Sequence, residues 1–178
     1  MTLDDILPIE KWMGLEEEIN KRYGLNASVF DADGIRITNF QKWANRLCPV
    51  IKANAKGQSF ICAVAHQNIA SEARKKRKWV IEECDAGLVK IAVPIFADDQ
   101  FLGVAGGCGL LRNDEQVDTF LVNKITGIEV AQQEDLSQDI ETVTSAVLES
   151  VAKYIEAQLE GIQLAFEKQR LVVTRKQS

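Results

Sequence analysis

The sequence is poor in the residues that mark common enzyme and metal centres. It holds one histidine, His66, and its four cysteines, Cys48, Cys62, Cys84 and Cys108, stand far apart with no C-x-x-C pair. One histidine leaves the familiar nucleophile–base sets without a visible third member. The long cysteine spacings do not by themselves announce a zinc site. Positive charge is also scarce: 21 Lys and Arg face 26 Asp and Glu, for a net charge of −5, which argues against general nucleic-acid binding. No apolar run approaches a membrane span, and the longest, Phe101 to Leu111, is short and glycine-rich. The opening Met1-Thr-Leu-Asp-Asp-Ile is acidic where a secretory signal is basic. The expectation is a cytoplasmic protein with neither a membrane nor a nucleic acid as partner. Its thiols are then reduced, and metal or redox roles outrank structural disulfides.

What is present fits one domain: 178 residues, 46% hydrophobic and 26% charged. After Pro8, the spacing of Ile9, Trp12, Leu15, Ile19 and Tyr23 predicts an amphipathic helix ended by Gly24. Two short β-branched or aromatic runs flank Asp33-Gly34 and predict a hairpin. A helix is expected from Phe60 to Lys78, with Ile61, Val64, Ala65 and Ile69 on one face and a basic end. Three strands follow: Trp79 to Cys84, Leu88 to Phe96, and Phe101 to Leu111. Pro94 implies an edge or a bulge, and Gly103, Gly106, Gly107 and Gly109 imply close approach of another backbone or a ligand. Asp114 to Thr126 reads as a short helix. Ser137 reads as the N-cap of a long last helix whose stripe runs Ile140, Val143, Val147, Val151, Ile155, Leu159, Ile162 and Phe166. A stripe of that length implies a second copy of the chain as partner, hence a homodimer. The polar tail Arg175-Lys-Gln-Ser is expected to fray.

Cys62 and His66 are four residues apart and share a helix face, a spacing that can supply two ligands to a metal, but two ligands do not make a tetrahedral site and a surface or hydrogen-bonded core histidine is the stronger reading. Cys84-Asp85-Ala86-Gly87-Leu88 places Asp85 between two strands, where it either meets a polar ligand or caps a turn. The glycine-rich strand is neither a dinucleotide fingerprint nor a P-loop, since it opens no helix and lacks the Lys-Ser/Thr pair. It reads as the wall of a pocket or a crowded sheet. The run Arg74-Lys-Lys-Arg-Lys reads as a solvated helix end.

The combination of Asn45-Arg-Leu-Cys48, Gly57, Cys62, Cys84-Asp-Ala-Gly-Leu88, Val93-Pro-Ile95 and Phe101-Leu-Gly103 resembles the PocR sensory domain. The resemblance runs from about Leu3 to Leu164. It implies a PAS-like fold that senses small molecules, with simple alcohols and hydrocarbon derivatives as proposed ligands, ahead of a signalling module. Two positions depart from the family: Asp85 stands where histidine often follows the third cysteine, and Cys108 is an addition to the usual three.

The expected fold is α+β, a PAS/GAF-like antiparallel sheet flanked by helices, with long N- and C-terminal helices. Residues 1–136 would form the sensory core, and 137–178 a helix for dimerisation and output. The leading function is a non-enzymatic sensor that binds a small molecule through Cys48, Cys62, His66, Cys84, Asp85, Gly106 and Cys108 and signals to a partner protein. The alternatives are a zinc or iron–sulfur sensor with Cys48, Cys62, Cys84 and Cys108 as ligands, and a structural dimerisation module.

Overall fold

Pro8 precedes the first long helix, and Gly24 ends it. The computed structural model describes residues 1–176, with side chains through Val172. A short helix α1 (Leu3–Ile6) leads into α2 (Ile9–Tyr23), which buries Trp12, Leu15 and Ile19. Gly24 takes the left-handed conformation, φ +70°, and its N–H returns to the Asn20 carbonyl at 2.8 Å.

Strand β1 (Asn26–Asp31) follows, but the expected hairpin is only half formed. Asp31 Oδ1 accepts from the Asp33 and Ile35 N–H groups, so the turn is present. Its return leg makes a single bridge, Phe30 to Arg36. The reason is a buried carboxylate on α2. Glu16 accepts from Arg36 Nη2 (3.2 Å), Thr38 Oγ1 (2.6 Å) and the Val29 N–H (2.8 Å). Arg36 also donates to the Ala27 carbonyl at 2.7 Å. These bonds draw residues 36–38 toward α2 instead of extending the ladder.

The chain then forms α3 (Leu47–Ala53), a π-helical segment (Gly57–Ala63) and α4 (Val64–Lys76). The last two were expected as one helix from Phe60. Three strands come next: β2 (Val80–Glu83), β3 (Val89–Ala97) and β4 (Gln100–Arg112). Sheet order is β1-β4-β3-β2, antiparallel throughout. Pro94 is on the central strand β3, yet β2 reaches only from Val89 to Ala92 along it, so no ladder bond is asked of the proline on that side.

The C-terminal part differs most from expectation. Helix α5 (Thr119–Thr126) is capped by the Asp118 side chain, and α6 (Val130–Leu136) was not foreseen. Ser137 caps no long helix. It ends α6, its hydroxyl donating to the Gln133 carbonyl at 2.6 Å. Ile140 is buried in a satellite cluster, and Thr142–Val143 forms β5, which pairs in parallel with Leu111–Arg112 of β4. The long helix α7 (Ser145–Lys176) starts after Thr144, whose hydroxyl accepts from the Val147 N–H at 3.2 Å. The helix persists through Arg175 and Lys176, while the last two tail residues, Gln177 and Ser178, lie outside the described residues.

The sheet is covered on both faces. On one, Ala27, Val29, Val89, Ile91, Val93 and Leu110 pack with Trp12 and Ile19 of α2 and with Leu148, Val151, Ile155 and Leu159 of α7. On the other, Ala92, Val80 and Val104 pack beneath Ile69 and Ala73 of α4. The result is the α+β arrangement expected, an antiparallel sheet flanked by helices.

Candidate functional site

At the end of the α4-covered face the helix layer lifts away from the sheet and leaves a cavity of about 150 Å³. A space of this order holds a benzene-sized molecule. Its floor is the strand row Asn26, Cys108 and Lys90, which are cross-strand partners. Its roof is the π-helical segment and the first turn of α4, with Ile61, Cys62, Ala65 and His66. Cys48, Ile51 and Lys52 of α3 complete the wall together with Cys84, Ala86 and Leu88 from the β2–β3 turn.

Local chemistry fixes each wall. Asn45 seats Cys48: its Oδ1 accepts from the Cys48 N–H at 2.7 Å, and its Nδ2 donates to the Gly109 carbonyl at 2.6 Å. Gly109 is the extra residue in a β-bulge, since Leu110 pairs with Val89 and Cys108 with Lys90. Its φ of +104° suits glycine, and a Cβ there would stand 2.8 Å from the Ala44 Cβ. The bulge turns Cys108 into the cavity while Leu110 enters the core behind the sheet. Asn54 organises the roof: its Oδ1 accepts from the Lys56 and Gly57 N–H groups, and its Nδ2 donates to the Thr126 carbonyl at 3.0 Å. The wider π turn that follows is a distortion frequent at functional sites.

Of the residues singled out from the sequence, Cys48, Cys62, His66, Cys84 and Cys108 all line this cavity. Gly106 lies beside it, under His66 in a small adjoining space of about 10 Å³. Asp85 is exposed at the β2–β3 turn and is not part of the wall. The turn is held by the Gly87 N–H to the Cys84 carbonyl at 2.8 Å and the Cys84 N–H to the Leu88 carbonyl at 2.9 Å. Sequence reasoning missed Asn26, Arg36, Lys52 and Lys90, all of which line the cavity. Lys90 carried a usable signal, as the lone charge in the apolar run Leu88 to Phe96. Asn26, Arg36 and Lys52 carried none, because they reach the wall from three separate segments.

Three of the thiols, Cys48, Cys62 and Cys84, are held protonated. Burial pushes the Cys48 thiol far up, and the neighbouring Cys108 adds to the effect. Burial pushes Cys62 up to about 11. Cys84 is also raised, chiefly by burial, although the Ala86 and Leu88 N–H groups oppose this. Among the described residues, no three Cys, His, Asp or Glu side chains form a group that could hold a metal ion. Cys48, Cys62, Cys84 and Cys108 share a cavity wall but not a coordination sphere, so the residues do not fit the zinc or iron–sulfur site considered from the sequence.

His66 is buried, and its ring stacks on Phe30 with centroids 3.8 Å apart. Burial, then the charges of Lys90 and Lys52, push its pKa down to about 3, so it is neutral at physiological pH. Its Nε2 has no hydrogen-bond partner. The same is true of Asn26 Oδ1 and Arg36 Nε. Buried polar atoms without partners are uncommon and costly. Three of the four among the described residues belong to side chains lining this one cavity, the fourth being Gln133 Oε1.

No helix among the described residues is long and apolar enough to cross a membrane. No curated protein matches the chain, and neither does any solved structure. A family model described as the sensory domain found in PocR matches residues 5–163. The match takes in every element from α2 to the core-packed half of α7, and the chain belongs to the PocR sensory-domain family.

Proposed function

We propose that the protein is a cytoplasmic sensor that binds one small organic molecule in the cavity between the α4 layer and the sheet, without catalysis, and reports occupancy through α7. The observation that carries this reading is one space of molecular size walled by segments distant in sequence, with Asn26, Arg36 and His66 among its lining side chains, each holding one buried polar atom without a partner. Ile51, Ile61, Leu88 and the cysteines give the wall apolar stretches that suit a carbon skeleton, between polar side chains that include Lys52 and Lys90. Protonated thiols and a neutral histidine without a partnered base favour binding over covalent chemistry.

Two routes support transmission to α7. The strands β3 and β4 face the cavity with Lys90 and Cys108, and the α7 core with Val89, Ile91 and Leu110. Beside the wall residue Cys84, Glu83 accepts from Arg112 Nε at 3.0 Å, and Arg112 Nη1 donates to the hydroxyl of Ser145, the first residue of α7, at 2.7 Å. The helix α7, which starts at Ser145 and not at residue 137, then acts as the output segment. Leu164 and Leu171, one heptad apart on α7, are exposed together with Val172. That spacing supports a homodimer through this end of the helix, from which a signalling partner would read its position. A thermal-shift screen of purified protein against short alcohols, diols, amides and carboxylates tests the reading. Saturable stabilisation by at least one class is expected, and no shift from any class overturns it.

A further inference from the structure

Three cationic side chains, Arg36, Lys52 and Lys90, line the cavity, and no Asp or Glu does. This concentration is unusual in a chain of net charge −5. Arg36 is matched by Glu16 on its far side, which leaves Nε unused. Lys52 and Lys90 form no ion pair among the described residues. Lys52 rests over the Trp43 ring at 5.9 Å. Lys90 stands across the strands from Glu82, yet no ion pair joins them. Both ammonium groups act on the centre of the space: they oppose protonation of His66 and favour ionisation of Cys62. Half-buried cations without counter-charges are costly unless something anionic sits between them.

Resting on the ligand-cavity reading above, we propose that the cavity takes a small organic anion: a carboxylate of about three to six carbons, by the size of the space, that also carries an O–H or N–H donor. The carboxylate meets the Lys52 and Lys90 side chains, which are donors, with the Arg36 guanidinium adding positive charge to the same wall. The donor answers an acceptor among the polar side chains of the wall, Ser28, Gln58 and Gln67. Neutral His66 serves either role through its tautomer. The aliphatic part lies against Ile51, Ile61 and Leu88. Simple alcohols, the class implied by the family resemblance, leave the cations unanswered, and amines are repelled by them.

The test is calorimetric titration at fixed ionic strength with four probes of one skeleton: 2-hydroxybutyrate, butyrate, 2-hydroxybutanamide and 1,2-butanediol. The hydroxy acid is expected to bind about tenfold tighter than the amide or the diol, the scale of one charge-assisted hydrogen bond, and tighter than butyrate. Lys52→Gln and Lys90→Gln each weaken the hydroxy acid by about tenfold and the diol by much less, and Lys90→Arg retains most of the affinity. Diol or amide binding that equals or exceeds the acid overturns this proposal and leaves the sensor reading standing. Failure of all four probes to bind overturns this proposal, and the sensor reading falls with it only when every class in the thermal-shift screen also gives no shift.

Discussion

Lys90 stands directly across the strand pair from Cys108, and the two side chains form the middle of the cavity floor. The pairing depends on the bulge at Gly109, because without the extra residue Cys108 and Leu110 would share one face of the sheet. Gly109→Ala puts a methyl group at φ +104° and 2.8 Å from the Ala44 Cβ. A loss of about 1–3 kcal/mol by denaturant unfolding is expected, together with weakened ligand response.

Gly106 makes a sharper demand on the same strand. A Cβ there would fall on the Ile91 carbonyl oxygen in the neighbouring strand. Backbone cannot retreat as a flexible side chain can, so Gly106→Ala is expected to cost more than Gly109→Ala, about 2–4 kcal/mol. Urea melts of the two variants side by side check the order.

Filling the space separates binding from stability. Cys62→Leu directs extra carbon into the cavity from its half-buried position in the roof. Because the void receives it, stability changes by less than about 1.5 kcal/mol, while ligand-induced thermal shift disappears. A full ligand response in this variant would place the binding site elsewhere.

The thiols give a chemical readout. With Cys48, Cys62 and Cys84 raised by burial, few thiolates exist at neutral pH. Alkylation of these three in the native protein at pH 7.5 is expected to be at least about tenfold slower than in urea. A saturating ligand slows it further.

His66 links stability to pH. Its folded pKa, about 3, lies below the unfolded value near 6.5. Between those values the unfolded state binds more protons, so the His66 contribution is full above pH 6.5 and is lost as pH falls toward 3. Glu16 acts in the opposite direction: burial raises its pKa, which favours the folded state when it protonates at low pH. Comparison with His66→Asn isolates the histidine. From pH 7 to pH 5 the parent protein is expected to lose up to about 2 kcal/mol more than the variant, read from urea midpoints.

The fold was legible where local periodicity and tertiary packing agree. Trp12, Leu15 and Ile19 mark the face of α2 that is buried, and the strands β2 to β4 fall within a few residues of their apolar runs. It was illegible where distant residues intervene. The Asp33-Gly34 turn forms, but Glu16 captures the return leg. Ile140 and Val143 fit the helical stripe of α7 by spacing, yet one is buried under α3 and the other joins β5. Four cysteines and a histidine pointed to the cavity because sulfur and imidazole stand out in any sequence. Asn26, Arg36 and Lys52 are ordinary polar residues, and only the folded chain brings them to the same wall.

Backbone and side-chain NMR during titration with 2-hydroxybutyrate locates a bound molecule without assuming its site. The expected result is a set of saturable shifts centred on Asn26, Cys62, His66 and Lys90, with smaller ones reaching Ser145. Saturable shifts centred instead on the far side of the sheet, between β3 and α7, would contradict the assignment of this cavity as the ligand site.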